Sequence, residues 1–128
     1  MRFLHLQEFM AKHNELGKKG EQLAVDFLIK NGYEIMARNY RFDKAEVDII
    51  AQIEGILAIV EVKTRSTIDF GNPQDFVKPK QMQRLVKAVD EYVNVNGLDV
   101  EVRFDIIAIV KEGKKYTIEH LENAFYHF

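Results

Sequence analysis

The 128-residue chain contains no cysteine. That excludes disulfides, thiolate zinc sites and a cysteine nucleophile, and leaves stability to packing. Long apolar runs are lacking too: no stretch approaches the roughly 20 apolar residues a membrane span needs. The N-terminal MRFLHLQEFMAKH is interrupted by His5, Gln7 and Glu8, so its apolar run is too short for a signal peptide. The expectation is a soluble cytoplasmic protein with no membrane partner. Charge of one sign is also missing, since 18 basic and 20 acidic residues give a net charge of −2. The chain therefore lacks the basic excess that often marks nucleic-acid binders, and a local patch would have to do that work. Proline occurs only twice, both times within STIDFGNPQDFVKP (66–79). What is present is a 47% hydrophobic content, enough for one core of ordinary density, and the length predicts a single domain over residues 1–128.

Between Asn14 and Lys30 the apolar residues Leu16, Leu23, Ala24, Phe27 and Leu28 recur at helical spacing, and Asn31-Gly32 supplies a stop. Residues 1–13 are an extension that either continues this helix or forms an arm. Three strands follow, YEIMARNYRF (33–42), EVDIIAQI (46–53) and ILAIVEVKTR (56–65), joined by the short connections DKA and EG. They predict an antiparallel meander. Residues 66–79 have no clean period and are expected to form a long loop, of the kind that is functional or mobile. Pro79 opens a second helix to about Asn94 with an apolar stripe of Met82, Leu85, Val86, Val89 and Tyr92 or Val93. VEVRFDIIAIV (100–110) is a further strand, and YTIEHLENAF a last strand or cap. The order α-β-β-β-α-β predicts an α/β fold, a mixed sheet flanked by helices.

Charges on two of the strands stand out. Side chains alternate along a strand, so Leu57, Ile59, Glu61 and Lys63 share one face. By the same parity Glu46, Asp48 and Ile50 share a face, and pairing across the EG turn brings Asp48 close to Glu61. Two adjacent carboxylates repel unless a cation sits between them. An open, oxygen-only site suits Mg²⁺ or Mn²⁺, and Lys63 beside it could stabilise a phosphorane-like transition state or position the attacking water. The competing reading is a simple ion pair of Glu61 with Lys63 at a sheet edge.

Six blocks occur in order: NELGKKGEQLA, EVDIIA, VEVKTR, FGNPQDFVKPKQMQRLVKA, RFDIIAI and HLENAF. Together, over roughly residues 14–125, they resemble the YraN-like family of small bacterial proteins, with a restriction-endonuclease-like fold. The resemblance implies the PD-(D/E)XK nuclease core and similarity to archaeal Holliday-junction resolvases. It implies that Glu21, Asp48, Glu61 and the Val62 carbonyl hold the metal, and that Asp48, Glu61 and Lys63 form the catalytic set. Two positions depart from the pattern: Ala45 stands where the family usually has glycine, and Val47 precedes Asp48 where the nuclease name has proline.

Lys80, Arg84 and Lys87 fall opposite the apolar stripe of the second helix and form a basic ridge suited to phosphates, or simply a solvated face. Arg65 shares the parity of Glu61 and Lys63 and is a candidate phosphate clamp. Arg38, Arg41 and Lys44 add charge near the first hairpin. Arg103 and Asp105 are expected to pair with neighbours across the sheet. His5, His13, His120 and His127 lack zinc-site spacing and are expected at the surface. GKKGE lacks the P-loop spacing. The leading expectation is a Mg²⁺- or Mn²⁺-dependent endonuclease acting on DNA, branched or recombining DNA included. A homodimer would suit a two-strand cut. The alternative is a non-catalytic nucleic-acid-binding or adaptor module that keeps the fold.

Overall fold

The computed structural model of the protein describes residues 3–66 and 78–124. Its elements are α1 (Phe3–Lys30), β1 (Glu34–Phe42), β2 (Ala45–Ile53), β3 (Ile56–Arg65), α2 (Pro79–Val95), β4 (Glu101–Glu112) and β5 (Lys115–Leu121). The strands form one sheet in the order β1-β2-β3-β4-β5. The β3–β4 pair is parallel, and the other neighbouring pairs are antiparallel. Two-residue connections leave β1, β2 and β3 no alternative to hairpins. At the second of these, Glu54 and Gly55 take positive φ values of 46° and 79°, which suits the twist of a tight hairpin. A parallel step needs a crossover, and α2 supplies it between β3 and β4.

The two helices pack into separate core clusters. Ala24, Val25 and Leu28 of α1 join Ile49, Ala51, Ala58, Val60, Ile107 and Ile109. Met82, Leu85, Ala88, Val89 and Tyr92 of α2 join Val47, Ile50, Leu57, Ile59 and Ile106. Successive residues of β3 and β4 thus divide between the two clusters, as period-2 alternation requires of strands covered on both faces. That is why these strands are continuous apolar runs in the sequence.

Several expectations need correction or completion. Residues from Phe3 onward continue the first helix, and the chain adds a fifth strand, so the order is α-β-β-β-α-β-β. Val86 is 48% exposed and does not belong to the buried stripe, whose small member is Ala88. The expected loop over residues 66–79 falls largely outside the described residues, as do His127 and the side chains of His5 and His13.

The largest correction concerns His120, which joins Asp105 in a buried cluster. Asp105 is 0% exposed; Arg103 pairs with it along the same strand at 2.8 Å, and the expected partners across the sheet are present as well, with Glu122 3.8 Å from the Arg103 guanidinium. The Arg103 guanidinium also donates to the Tyr33 hydroxyl at 2.6 Å. His120, expected at the surface, lies 2.9 Å from Asp105 through Nε2 and stacks edge-on against Phe27. The Asn123 backbone N–H donates to Asp105 Oδ1 at 3.0 Å, so the chain after β5 is tied to β4 by the same carboxylate. Burial alone would push the Asp105 carboxyl up, but His120, Arg103 and the Asn123 N–H hold it below the ordinary carboxylate range. No buried side-chain polar atom among the described residues lacks a partner.

One close contact sets the position of α1 over the sheet. Gly20 is buried, and a Cβ there would overlap the Cβ and both branches of the Thr64 side chain on β3. Because Thr64 Cβ cannot move without its backbone, Gly20→Ala is expected to cost about 1–3 kcal/mol as overpacking. Gly17→Ala, whose Cβ would meet nothing within 4 Å, should raise stability by up to roughly 1 kcal/mol through helix propensity. Chemical denaturation of the two variants checks the contrast. Asp105→Ala removes the chief partner of the half-buried Arg103, leaving it Tyr33 and the more distant Glu122, and should cost up to about 3–5 kcal/mol by the same measurement.

Candidate functional site

A fork in the sheet organises the site. The pairing of β2 with β3 runs only as far as Ile49↔Val60. Past that point β2 stays paired to β1 through Tyr40↔Val47, Arg41↔Glu46 and Phe42↔Ala45. β3 likewise stays paired to β4 through Arg65↔Val110. Each strand is held on its outer side, so the inner edges part, and Asp48, Glu61, Val62 and Lys63 are the residues at the opening. Asp48 Oδ2 accepts the Val62 backbone N–H at 2.8 Å, which satisfies a strand donor beyond the last β2–β3 pair. The N–H and C=O of a strand residue project to the same side, so the Val62 carbonyl faces the same fork.

A slip in the alternation accompanies the fork. Val47 and Ile50, three residues apart, both pack in the α2 cluster, while Ile49 joins the α1 cluster. Glu46, Asp48 and Ile50 therefore do not share one face as the parity predicts. On β1 the same thing happens: Ala37 and Tyr40 both pack in the α2 cluster. The pairing between the two strands skips from Arg38↔Ile49 to Tyr40↔Val47, leaving Asn39 and Asp48 opposite one another at the skipped step. Asn39 takes a left-handed φ of 52°.

Three carboxylates share one arrangement. Asp48 uses Oδ2 on Val62. Glu61 Oε1 meets Lys63 Nζ at 3.2 Å, so the simple ion pair exists, though along one strand and in a partly buried place. Glu21 Oε1 accepts from Asn39 Nδ2 at 3.0 Å and lies 3.5 Å from the Arg38 guanidinium. Each of these contacts engages one oxygen of its carboxylate. The Asp48 carboxyl is pushed up to about 7, chiefly by burial and then by the charge of Glu61. The Val62 N–H opposes this, with smaller contributions from Glu21 upward and Lys63 downward.

Two clefts meet at Asp48. One, of about 460 Å³, lies toward α1 and is lined by Asn14, Gly17, Lys18 and Glu21 together with Asp48 and the Val62–Arg65 end of β3. The other, of about 440 Å³, lies toward α2 and is lined by Lys44, Ala45, Glu46, Gln81, Arg84 and Leu85 with Asp48 and Glu61. Of the expected basic ridge only Arg84 borders this site. Lys80 is exposed in the first turn of α2 and lines neither cleft, and Lys87 lines a separate hollow with Pro79, Met82, Gln83 and Val86. Arg65 borders the α1 cleft and donates to the Thr64 carbonyl at 2.9 Å. Arg41 is committed to Glu46 at 3.2 Å. Asn39, Asn14, Lys18, Thr64 and Gln81 were not singled out from the sequence. Only Asn39 carried a signal, as an asparagine in mid-strand where that residue is disfavoured.

Among the described residues no three His, Asp or Glu side chains converge into a ready-made cation cage. The donor chemistry nevertheless fits a hard cation that keeps part of its water shell, because such ions need only one or two protein carboxylates. Three acids each engaged through one oxygen, a strand carbonyl and a carboxyl destabilised by burial and then by its acidic neighbours are the features that fit.

The raised Asp48 carboxyl has a signed consequence for stability. Between the ordinary value near 3.8 and about 7, the folded protein holds a proton that the unfolded chain has released. This group's contribution therefore declines as pH rises through that window. In chelator, Asp48→Asn is expected to remove this decline, so its melting temperature relative to wild type should be higher at pH 8 than at pH 4.

Comparison with known proteins gives a family. The family described as "Uncharacterised protein family UPF0102" matches residues 20–109. A UPF0102 protein of Flavobacterium psychrophilum is 67% identical over 119 residues, 93% of this chain and 100% of that protein. One from Christiangramia forsetii is 64% identical over 119 residues with the same coverage, and one from Phocaeicola vulgatus is 47% identical over 117 residues, 91% of this chain and 97% of its own length. The chain therefore belongs to UPF0102, the YraN family that its ordered sequence blocks resemble.

Proposed function

We propose that the protein is a metal-dependent nuclease with a restriction-endonuclease-like core, hydrolysing phosphodiester bonds of DNA at the fork. The observation that carries this reading is Asp48. It is a buried carboxylate held through one oxygen by the Val62 N–H, within the electrostatic reach of Glu61 and Glu21, and its charge is costly unless a cation joins it. Asp48, Glu61, Glu21 and the Val62 carbonyl would hold Mg²⁺ or Mn²⁺. When bound, such an ion polarises a phosphoryl oxygen and offsets the charge that builds up there.

The chain's own groups do the rest. Lys63, anchored by Glu61 at 3.2 Å, keeps its ammonium at the mouth of the fork, where it stabilises the extra charge of the transition state. In the reaction the oxygen of water bonds to phosphorus, the ester P–O bond breaks, and the leaving oxygen takes up a proton. Arg84 and Lys44 on one side of Asp48, and Lys18 and Arg65 on the other, offer positive charge to the phosphates flanking the scissile one. The net charge of −2 does not oppose this, because the contacts required are local. A homodimer would place two such sites for a two-strand cut.

Purified protein incubated with single-stranded, duplex and four-way-junction DNA plus Mg²⁺ or Mn²⁺ tests the reading. Cleavage is expected, with Asp48→Ala and Lys63→Ala each slower by at least about 10²-fold, the scale of losing a transition-state stabiliser. Arg84→Gln should weaken DNA binding and flatten its salt dependence by about 0.9 in log–log slope if one phosphate contact is lost. If wild type and variants bind DNA equally and none cuts, the enzyme reading fails and the binding-module alternative takes its place.

A further inference from the structure

The left-handed Asn39 is at odds with its place in a strand. Most residues avoid that backbone region; asparagine tolerates it better than other non-glycine residues. The conformation falls at the skipped pairing step opposite Asp48, so one irregularity in β1 and β2 shapes both strands at the site. The Asn39 amide does not join the sheet. It crosses to α1, 18 residues back in the chain, and donates to Glu21 Oε1 at 3.0 Å. Arg38, its neighbour, reaches the same oxygen at 3.5 Å and donates to Gln22 Oε1 at 3.1 Å. Both donors to Glu21 thus come from β1 and converge on one oxygen.

We propose that Asn39 is a positioning residue of the site: its left-handed backbone and its amide hold Glu21 with one carboxylate oxygen anchored and the other available to the cleft beside Asp48. This rests on the reading of that cleft as a cation site. Arg38 alone would satisfy the charge of Glu21 without choosing an oxygen, because a guanidinium can pair with either or both. The amide adds the direction. Glycine at position 39 would keep the backbone and lose the donor; alanine would lose both.

Two measurements on the full chain test the inference and separate it from the cation reading. In NMR spectra without metal, the side-chain amide resonances of Asn39 are expected to shift in Glu21→Ala; unmoved resonances would overturn the contact. In calorimetric titration with Mn²⁺, Asn39→Gly should bind about 10-fold more weakly than wild type, the low end for loss of an outer partner of a metal ligand, with its melting temperature retained. Combining Asn39→Gly with Glu21→Ala should be no worse than Glu21→Ala alone, since the two act as one unit. Wild-type affinity in Asn39→Gly alongside a weakened Glu21→Ala, or full additivity in the double variant, would overturn the positioning role. Absence of Mn²⁺ uptake by wild type would overturn the cation site itself, while the amide resonances still decide the contact.

Discussion

The hydrogen bond from the Val62 N–H to the Asp48 carboxylate is the interaction around which the site is built. A sheet that opens between two central strands exposes backbone donors and acceptors, and a buried unpaired group costs as much as a lost hydrogen bond. Asp48 meets one of those groups with its side chain, so the fork can persist in the interior of the sheet rather than at its edge. The same act commits one oxygen of Asp48 and brings its charge among Glu61 and Glu21. The elevated carboxyl is the electrostatic consequence of that placement.

The two faces of the sheet then contribute unequally. From one side α1 supplies Glu21, and its distance from β3 is set by the absence of a side chain at Gly20 over Thr64. A bulkier residue there would lift the helix and carry Glu21 with it. From the other side α2 supplies Arg84 and Gln81 at the rim, held by a stripe that buries Met82, Leu85, Ala88, Val89 and Tyr92. The Asp105 cluster is a separate matter. It joins Tyr33, Arg103, His120 and the chain after β5, every buried polar side-chain atom in it is satisfied, and it anchors the β4–β5 edge without bordering either cleft.

Much of this was legible in the chain. The 3.6-residue and 2-residue periodicities located the second helix, four strands and the C-terminal end of the first helix to within a few residues, because each element buries an apolar face or stripe and the period follows from that burial. The meander was legible because two-residue connections permit little else. Asp48, Glu61 and Lys63 stood out because charges at the end of buried strands are costly and so demand a reason. Val86 and His120 were misplaced for one shared reason: residue type and spacing suggest an environment, but packing from another element decides it. Val86 falls just off the stripe that α2 presents to the sheet. His120 is covered by Phe27 and Tyr33 from elements far away in sequence.

The sequence by itself determined the elements, the nature of the core and the charged residues available at one end of the central strands, since local backbone geometry and burial leave few other solutions. Only the tertiary structure decided how those charges meet. The slip at Asn39 and Asp48, the parting of β2 from β3, and the choice of which oxygen of Glu21 is held all depend on contacts between segments distant in the chain. A periodic pattern assumes unbroken alternation, and the site is built where the alternation breaks.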